Sequence, residues 1–232
     1  KGWLPLEDDV AADAPVALTQ KAIYAYGYTG SGSTAVSMSN LVNSSGVIAA
    51  DVTGVGTARY YPSATTYGFD KAIFAYGTTG SNVSLSNLVS NSGVIATDTS
   101  GVGTARNGVG GAGYGQAGQA IFAYGNSGSN VSMSNLVNSS GVVASDVTGV
   151  GTGRSGLGAA KYGHDKAIFG YGYTGSASSL TNLVSNTGVV GSDVTGVGTA
   201  RYYINAASYG TDKAIFAYGT TGSVTAISNL VS

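Results

Sequence analysis

The chain copies itself. The string Lys71-Ala72-Ile73-Phe74-Ala75-Tyr76-Gly77 recurs in near-copies from Lys21, Gln119, Lys166 and Lys213, so near-evenly spaced starts mark five units of almost constant length. A second string, Ser-Asn-Leu-Val or a close variant, centres on Asn40, Asn87, Asn135, Asn182 and Asn229. A third runs from Gly93 through Asp98 to Arg106, with counterparts ending at Arg59, Arg154 and Arg201. Self-similarity at this period restricts a chain to propellers, solenoids and arrays, because one unit of this size cannot bury its apolar surface alone.

Each unit reads as four short strands bounded by Gly, Asn or Ser turn signals. In the second unit they are Lys71 to Gly77, Val83 to Ser90, Gly93 to Thr99, and a small-residue strand near Gly110 to Tyr114. In the first of these, Ile73 and Ala75 point one way while Ala72, Phe74 and Tyr76 point the other, so both faces are apolar. A sheet buried on both faces needs a neighbour on each side, which radially packed blades supply. The 38 glycines and a charged fraction of only 9% oppose helix and suit a turn-rich all-β chain. The expected fold is therefore a five-bladed β-propeller of four-stranded antiparallel blades, residues 1–232 forming one domain. The fifth copy ends after its Asn229 strand, and residues 1–20 are expected to close the ring, Gly2 falling where Gly93 does. That join leaves a shorter stretch between Asn229 and Lys21 than separates the same markers elsewhere, which implies a shortened loop.

The pattern of a glycine-ended strand (Ile73 to Gly77), a Leu-Asn-type strand (Leu85 to Val89) and an outer strand leading to Thr104-Ala105-Arg106 resembles the kelch repeat. Tyr76-Gly77 stands where kelch units carry a Gly-Gly doublet. The near-identical units are also similar to repeats of marine bacteriophage tail-fibre and appendage proteins. That resemblance implies a virion or cell-surface adhesin, located on an extracellular or virion surface.

Several chemistries are excluded or left without support. A net charge of -1 gives no footprint for nucleic acid. No run approaches the length of apolar sequence that a spanning helix needs, so no membrane insertion is expected. The start at Lys1, without Met, points to a processed or excised piece. With no cysteine, thiolate catalysis and cysteine-based zinc sites are impossible, and the one histidine, His164, falls at a turn where other copies have Phe69 and Thr211. Glu7, Asp8, Asp9 and Asp13 match no calcium-loop spacing and read as a solvated acidic stretch. Two Gly-x-Gly-x-x-Gly matches, at Gly108 and Gly151, open no helix and so lack the context of a dinucleotide site. No catalytic residue, metal or cofactor is expected.

Asp51 and Arg59, Asp98 and Arg106, Asp146 and Arg154, and Asp193 and Arg201 all stand at one and the same separation. A pair repeated in every full unit reads as a structural ion pair or turn hydrogen bond, not as a single active site. The copies differ most after the Arg, at Tyr60-Tyr61, Asn107, Ser155 and Tyr202-Tyr203, and in the hairpin beginning at Tyr28, Thr78, Asn126, Tyr173 and Thr220. Alternate connections of an antiparallel blade emerge on one side, so both variable sets should share a face. Tyr28, Tyr60, Tyr61, Asn107, Asn126, Tyr173, Tyr202 and Tyr203 are thus the candidate ligand-binding residues, for a glycan or a protein receptor. A structural spacer or decoration contacting other subunits is the alternative. A designed repeat protein without a ligand would show the same near-identity.

Overall fold

The computed structural model describes residues 21–30 and 34–231, and these are all β and loop. The proposed closing segment 1–20 and its acidic residues lie outside the described residues. Fourteen strands form five antiparallel sheets. The first pairs β1 (Ala22–Thr29) with β2 (Thr34–Val42). The second orders β3 (Ser63–Tyr67), β4 (Lys71–Ala75) and β5 (Ser86–Val89), and the third β6 (Gly110–Tyr114), β7 (Gln119–Ala123) and β8 (Ser134–Val137). The fourth comprises β9 (Gly158–Tyr162), β10 (Lys166–Tyr173) and β11 (Ala177–Val184), and the fifth β12 (Asn205–Tyr209), β13 (Lys213–Ala217) and β14 (Ser228–Val231).

Two expectations about the unit are corrected. Four sheets have three strands and the first has two where four were expected; in the second sheet the stretch Gly93–Thr99 meets β5 only at the bridges Val89 to Ile95 and Ser86 to Thr99. Between them the Asn87 side chain takes over the ladder's role, its Nδ2 donating to Ala96 O at 3.0 Å and to Asp98 Oδ1 at 2.9 Å. The small-residue strand Gly110–Tyr114 belongs to the following sheet, where it pairs with Gln119–Ala123.

Two-faced burial builds the seams between sheets. Ile73, Ala75 and Tyr76 of the second sheet pack with Ala120, Phe122 and Val137 of the third. Ile121, Ala123 and Tyr124 pack with Ala167, Phe169 and Val184, and Ile168 and Tyr171 with Ala214 and Phe216. On its other face Phe74 joins Ile23, Ala25 and Tyr26 of the first sheet. Each seam holds one tyrosine ring against one phenylalanine, from Tyr26–Phe74 at 5.4 Å to Tyr76–Phe122 at 5.6 Å. Among the described residues the fifth sheet shares no such core with the first.

Each sheet carries a Tyr-Gly pair with both residues at positive φ, 63° at Tyr76 and 105° at Gly77, which follows the last residue of β4, β7 and β13 and forms a bulge within β1 and β10. A non-glycine residue in the left-handed region costs about 1–2 kcal/mol. Burial of the ring in the seam offsets that cost, Tyr76 and Tyr124 being fully buried. Gly77 has no alternative, since a Cβ there would lie 2.9 Å from Tyr60 O.

Candidate functional site

The largest fully buried side chains are not apolar but the four arginines Arg59, Arg106, Arg154 and Arg201. Arg106 donates from Nε to Tyr124 O at 2.8 Å, from Nη1 to Thr104 O at 3.0 Å and from Nη2 to Asn135 Oδ1 at 2.6 Å. Arg59 and Arg154 repeat all three bonds. Every guanidinium also lies over the tyrosine of the preceding sheet, Cζ standing 4.0 to 4.4 Å from the ring centroids of Tyr26, Tyr76, Tyr124 and Tyr171. A cation on a desolvated ring gains electrostatically from the quadrupole. Burial holds the Arg59 and Arg154 guanidinium groups below the ordinary arginine range, and pushes the Tyr76 and Tyr124 hydroxyls up to about 12.

The expected Asp–Arg pairing is corrected in its partners. Arg59 approaches Asp98 at 4.0 Å, Arg106 approaches Asp146 at 3.8 Å and Arg154 approaches Asp193 at 3.9 Å, so each arginine meets the aspartate of the next unit and not the one just before it in sequence. The chain leaves the outer edge of one sheet after its aspartate and crosses into the next sheet before reaching the arginine. Asp51 accepts from Asn40 Nδ2 at 2.8 Å, and no arginine pairs with it among the described residues. The carboxylates act chiefly as hydrogen-bond acceptors: Asp98 takes Thr57 Oγ1 at 2.6 Å and Thr57 N at 3.0 Å besides Asn87. Burial works against its charged form. The bonds from Thr57 and Asn87 and the nearby Arg59 outweigh that effect and hold the carboxyl below its usual range, as happens at Asp146 and Asp193.

The two variable sets of loops lie on one face, joined by the bridges Tyr60 to Thr78, Asn107 to Asn126, Ser155 to Tyr173 and Tyr202 to Thr220. Six of the candidate tyrosines form an unbroken aromatic chain. Tyr28 meets Tyr60 at 5.6 Å and Tyr61 at 6.1 Å, Tyr60 meets Tyr61 at 5.2 Å, and Tyr61 stacks on Tyr203 at 6.4 Å with 16° between planes. Tyr203 meets Tyr202 at 5.0 Å, which meets Tyr173 at 5.1 Å. Tyr28, Tyr61, Tyr173 and Tyr203 are all solvent-exposed.

Beside this chain lies a hollow of about 320 Å³, walled by Tyr61, Tyr203, Asn107, Ser155 and Asn205 and floored by the apolar Val109, Leu157 and Ile204. None of its lining residues is charged. Its rim is the second turn position after each arginine, held at positive φ in Tyr61, Gly108, Gly156 and Tyr203. Backbone bonds tie three of these together, Gly156 N donating to Gly108 O at 2.9 Å and Tyr203 N to Gly156 O at 2.8 Å. The glycines leave the open side and the tyrosines raise the wall.

Asn107 and Asn126 belong to a run of amides along the same face. Asn107 Nδ2 donates to Asn82 Oδ1 at 2.7 Å, Asn82 Nδ2 to Asn126 O at 2.9 Å, and Asn130 Nδ2 to Tyr173 O at 2.8 Å. Asn82 and Asn130 were missed from sequence. They occupy one repeat position, filled by Ala177 and Val224 in other copies, and comparing the copies at that position would have found them. His164 sits in the exposed turn between β9 and β10, at the opposite end of strand β9 from the hollow. Among the described residues no three His, Cys, Asp or Glu side chains cluster as a metal site, and no helix is long and apolar enough to cross a membrane.

Comparison with known proteins finds no family model that matches the chain and no matching curated protein.

Proposed function

We propose that this chain is a non-catalytic attachment module on an extracellular or virion surface, reading glycan through the tyrosine-lined face. The architecture proposed with it is a five-bladed, kelch-like propeller, with the N-terminal segment completing the last blade. One observation carries the functional reading: six tyrosines run continuously beside an uncharged hollow of about 320 Å³. Tyrosine offers a rigid apolar face with a hydroxyl tip, which suits a sugar ring with its polar edge and apolar face. The volume falls at the lower end of ordinary ligand pockets. Absence of charge from the lining favours a neutral glycan over an anionic one.

The test is a glycan and cell-envelope binding screen of the intact chain beside a variant with Tyr60, Tyr61, Tyr202 and Tyr203 all changed to Ser. Binding by the intact chain, lost in a folded variant, is the expected result; binding retained by the variant sinks the assignment to this face.

A second reading has its own support. Val94, Val142 and Val189 occupy one repeat position on the outer edge, and all three are exposed. A regularly spaced apolar perimeter suits a structural subunit that packs against others.

A further inference from the structure

The seams between successive sheets repeat one another in detail. A glycine at the outer edge of one sheet lies against the leucine of the sheet before it: a Cβ on Gly93 would fall 2.5 Å from Leu41 Cδ2, on Gly141 2.7 Å from Leu88 Cδ2, and on Gly188 3.0 Å from Leu136 Cδ2. Deeper in each seam a Phe meets the Tyr of the preceding sheet.

The first and fifth sheets carry the unused halves of this contact. Gly46 stands at the repeat position of Gly93, yet a Cβ there would meet nothing within 4 Å. Leu230, the counterpart of Leu41 and Leu88, is 67% exposed. Tyr24 replaces Phe74 and is 63% exposed, while Tyr218, the counterpart of the fully buried Tyr76, is 61% exposed. The two open faces are complementary residue by residue. A second copy could satisfy them head to tail, but the stacking of Tyr61 on Tyr203 already brings the second and fifth sheets together within one chain.

We infer that the open face of the fifth sheet is the docking surface for the first sheet of the same chain, with Gly46 receiving Leu230 and Tyr24 meeting Tyr218. This specifies the closure of the ring proposed above and rests on that architecture, not on the ligand. Arg59, Arg154 and Arg201 precede Lys71, Lys166 and Lys213 at one fixed offset and cover the tyrosine of the sheet before, but Asp9 holds the same offset before Lys21. Tyr218 therefore has no equivalent arginine in the repeat pattern.

The absence of cysteine makes a clean test possible. Oxidation of a Gly46→Cys/Leu230→Cys variant in dilute solution should give an intramolecular disulfide, as should a Gly93→Cys/Leu41→Cys control across an established seam. Spin labels on Val47→Cys and Leu230→Cys, free of the strain of substituting a glycine, should lie as close as labels on Val94→Cys and Leu41→Cys in the same monomeric chain. Disulfide-linked dimers and ladders from the seam pair would overturn the inference in favour of head-to-tail copies. A label separation in the monomer well beyond that of the control would overturn it in favour of an open series. Neither readout involves a glycan, so failure here and failure of the binding screen are separate results.

Discussion

Arg106 lies 4.2 Å above the ring of Tyr76, a residue of the sheet before its own. Its guanidinium hydrogens meanwhile go to Tyr124 O, Thr104 O and Asn135 Oδ1, so a single side chain ties two sheets through one charge. A buried charge is stabilising only when it is fully partnered, and removing one member of such a group leaves the others desolvated and unpaired. The arginines therefore act as joints, and their loss is felt in both adjoining sheets.

Arg106→Met should lower unfolding stability by about 3–5 kcal/mol, because Asn135 Oδ1 and Tyr124 O lose their buried donor. Arg201→Met should cost less: Arg201 Nε is buried without a partner, and no aspartate approaches it among the described residues. Urea denaturation of the two variants beside the parent chain measures the difference, and equal losses would contradict this account.

Tyr76→Phe should be neutral or slightly stabilising. The Tyr76 hydroxyl is buried with no hydrogen-bond partner, so its removal relieves a desolvation cost of about 1–3 kcal/mol while the ring stays beneath Arg106. Tyr26→Phe, whose hydroxyl donates to Val55 O at 3.1 Å, should be destabilising by about 0.5–1.5 kcal/mol. Thermal melts of the pair test the contrast.

Acid should loosen the seams. Asp98, Asp146 and Asp193 have folded pKa values below the unfolded one, so their contribution is complete above about pH 4 and is lost as pH falls through the folded values. At the other extreme, burial raises Tyr76 and Tyr124 to about 12 from an ordinary value of 10.0, so stability should fall as pH rises through that interval. Melting temperature followed from neutral pH into acid should drop steeply only below about pH 4, and an Asp98→Asn/Asp146→Asn variant should show a shallower fall.

Gly77→Ala should be destabilising by about 1–3 kcal/mol, combining a strained φ of 105° with a Cβ 2.9 Å from Tyr60 O. Because the displaced atom carries Tyr60, the variant should also weaken any ligand bound by the tyrosine chain. A change in stability without a change in binding would separate the two.

What could be read from the sequence follows from what a repeat does and does not encode. Alternating apolar residues around Ile73 and Phe74 dictate burial on two faces, and both side chains are buried in different seams. The gathering of Tyr28, Tyr60, Tyr61, Tyr202 and Tyr203 on one face follows from counting antiparallel connections. The phase of the unit is another matter. A constant spacing from Asp98 to Arg106 and its counterparts entails a near-constant spacing from each arginine to the next aspartate, and periodicity cannot distinguish the two. The same ambiguity assigned Gly110–Tyr114 to the sheet before its own. The side-chain ladder at Asn87, which supplants a fourth strand, depends on a carboxylate aimed at its amide, a matter of geometry that composition does not carry.

All four arginines are sealed inside, whereas Lys71, Lys166 and Lys213 stand beside Asp70, Asp165 and Asp212 in the turns at the ends of the strands remote from the tyrosines. Lys161 lies on β9 next to such a turn, and Lys21 at the matching position before β1. The described chain thus offers its primary amines on one side only. A dye coupled at any of these five lysines would leave the aromatic side unmodified.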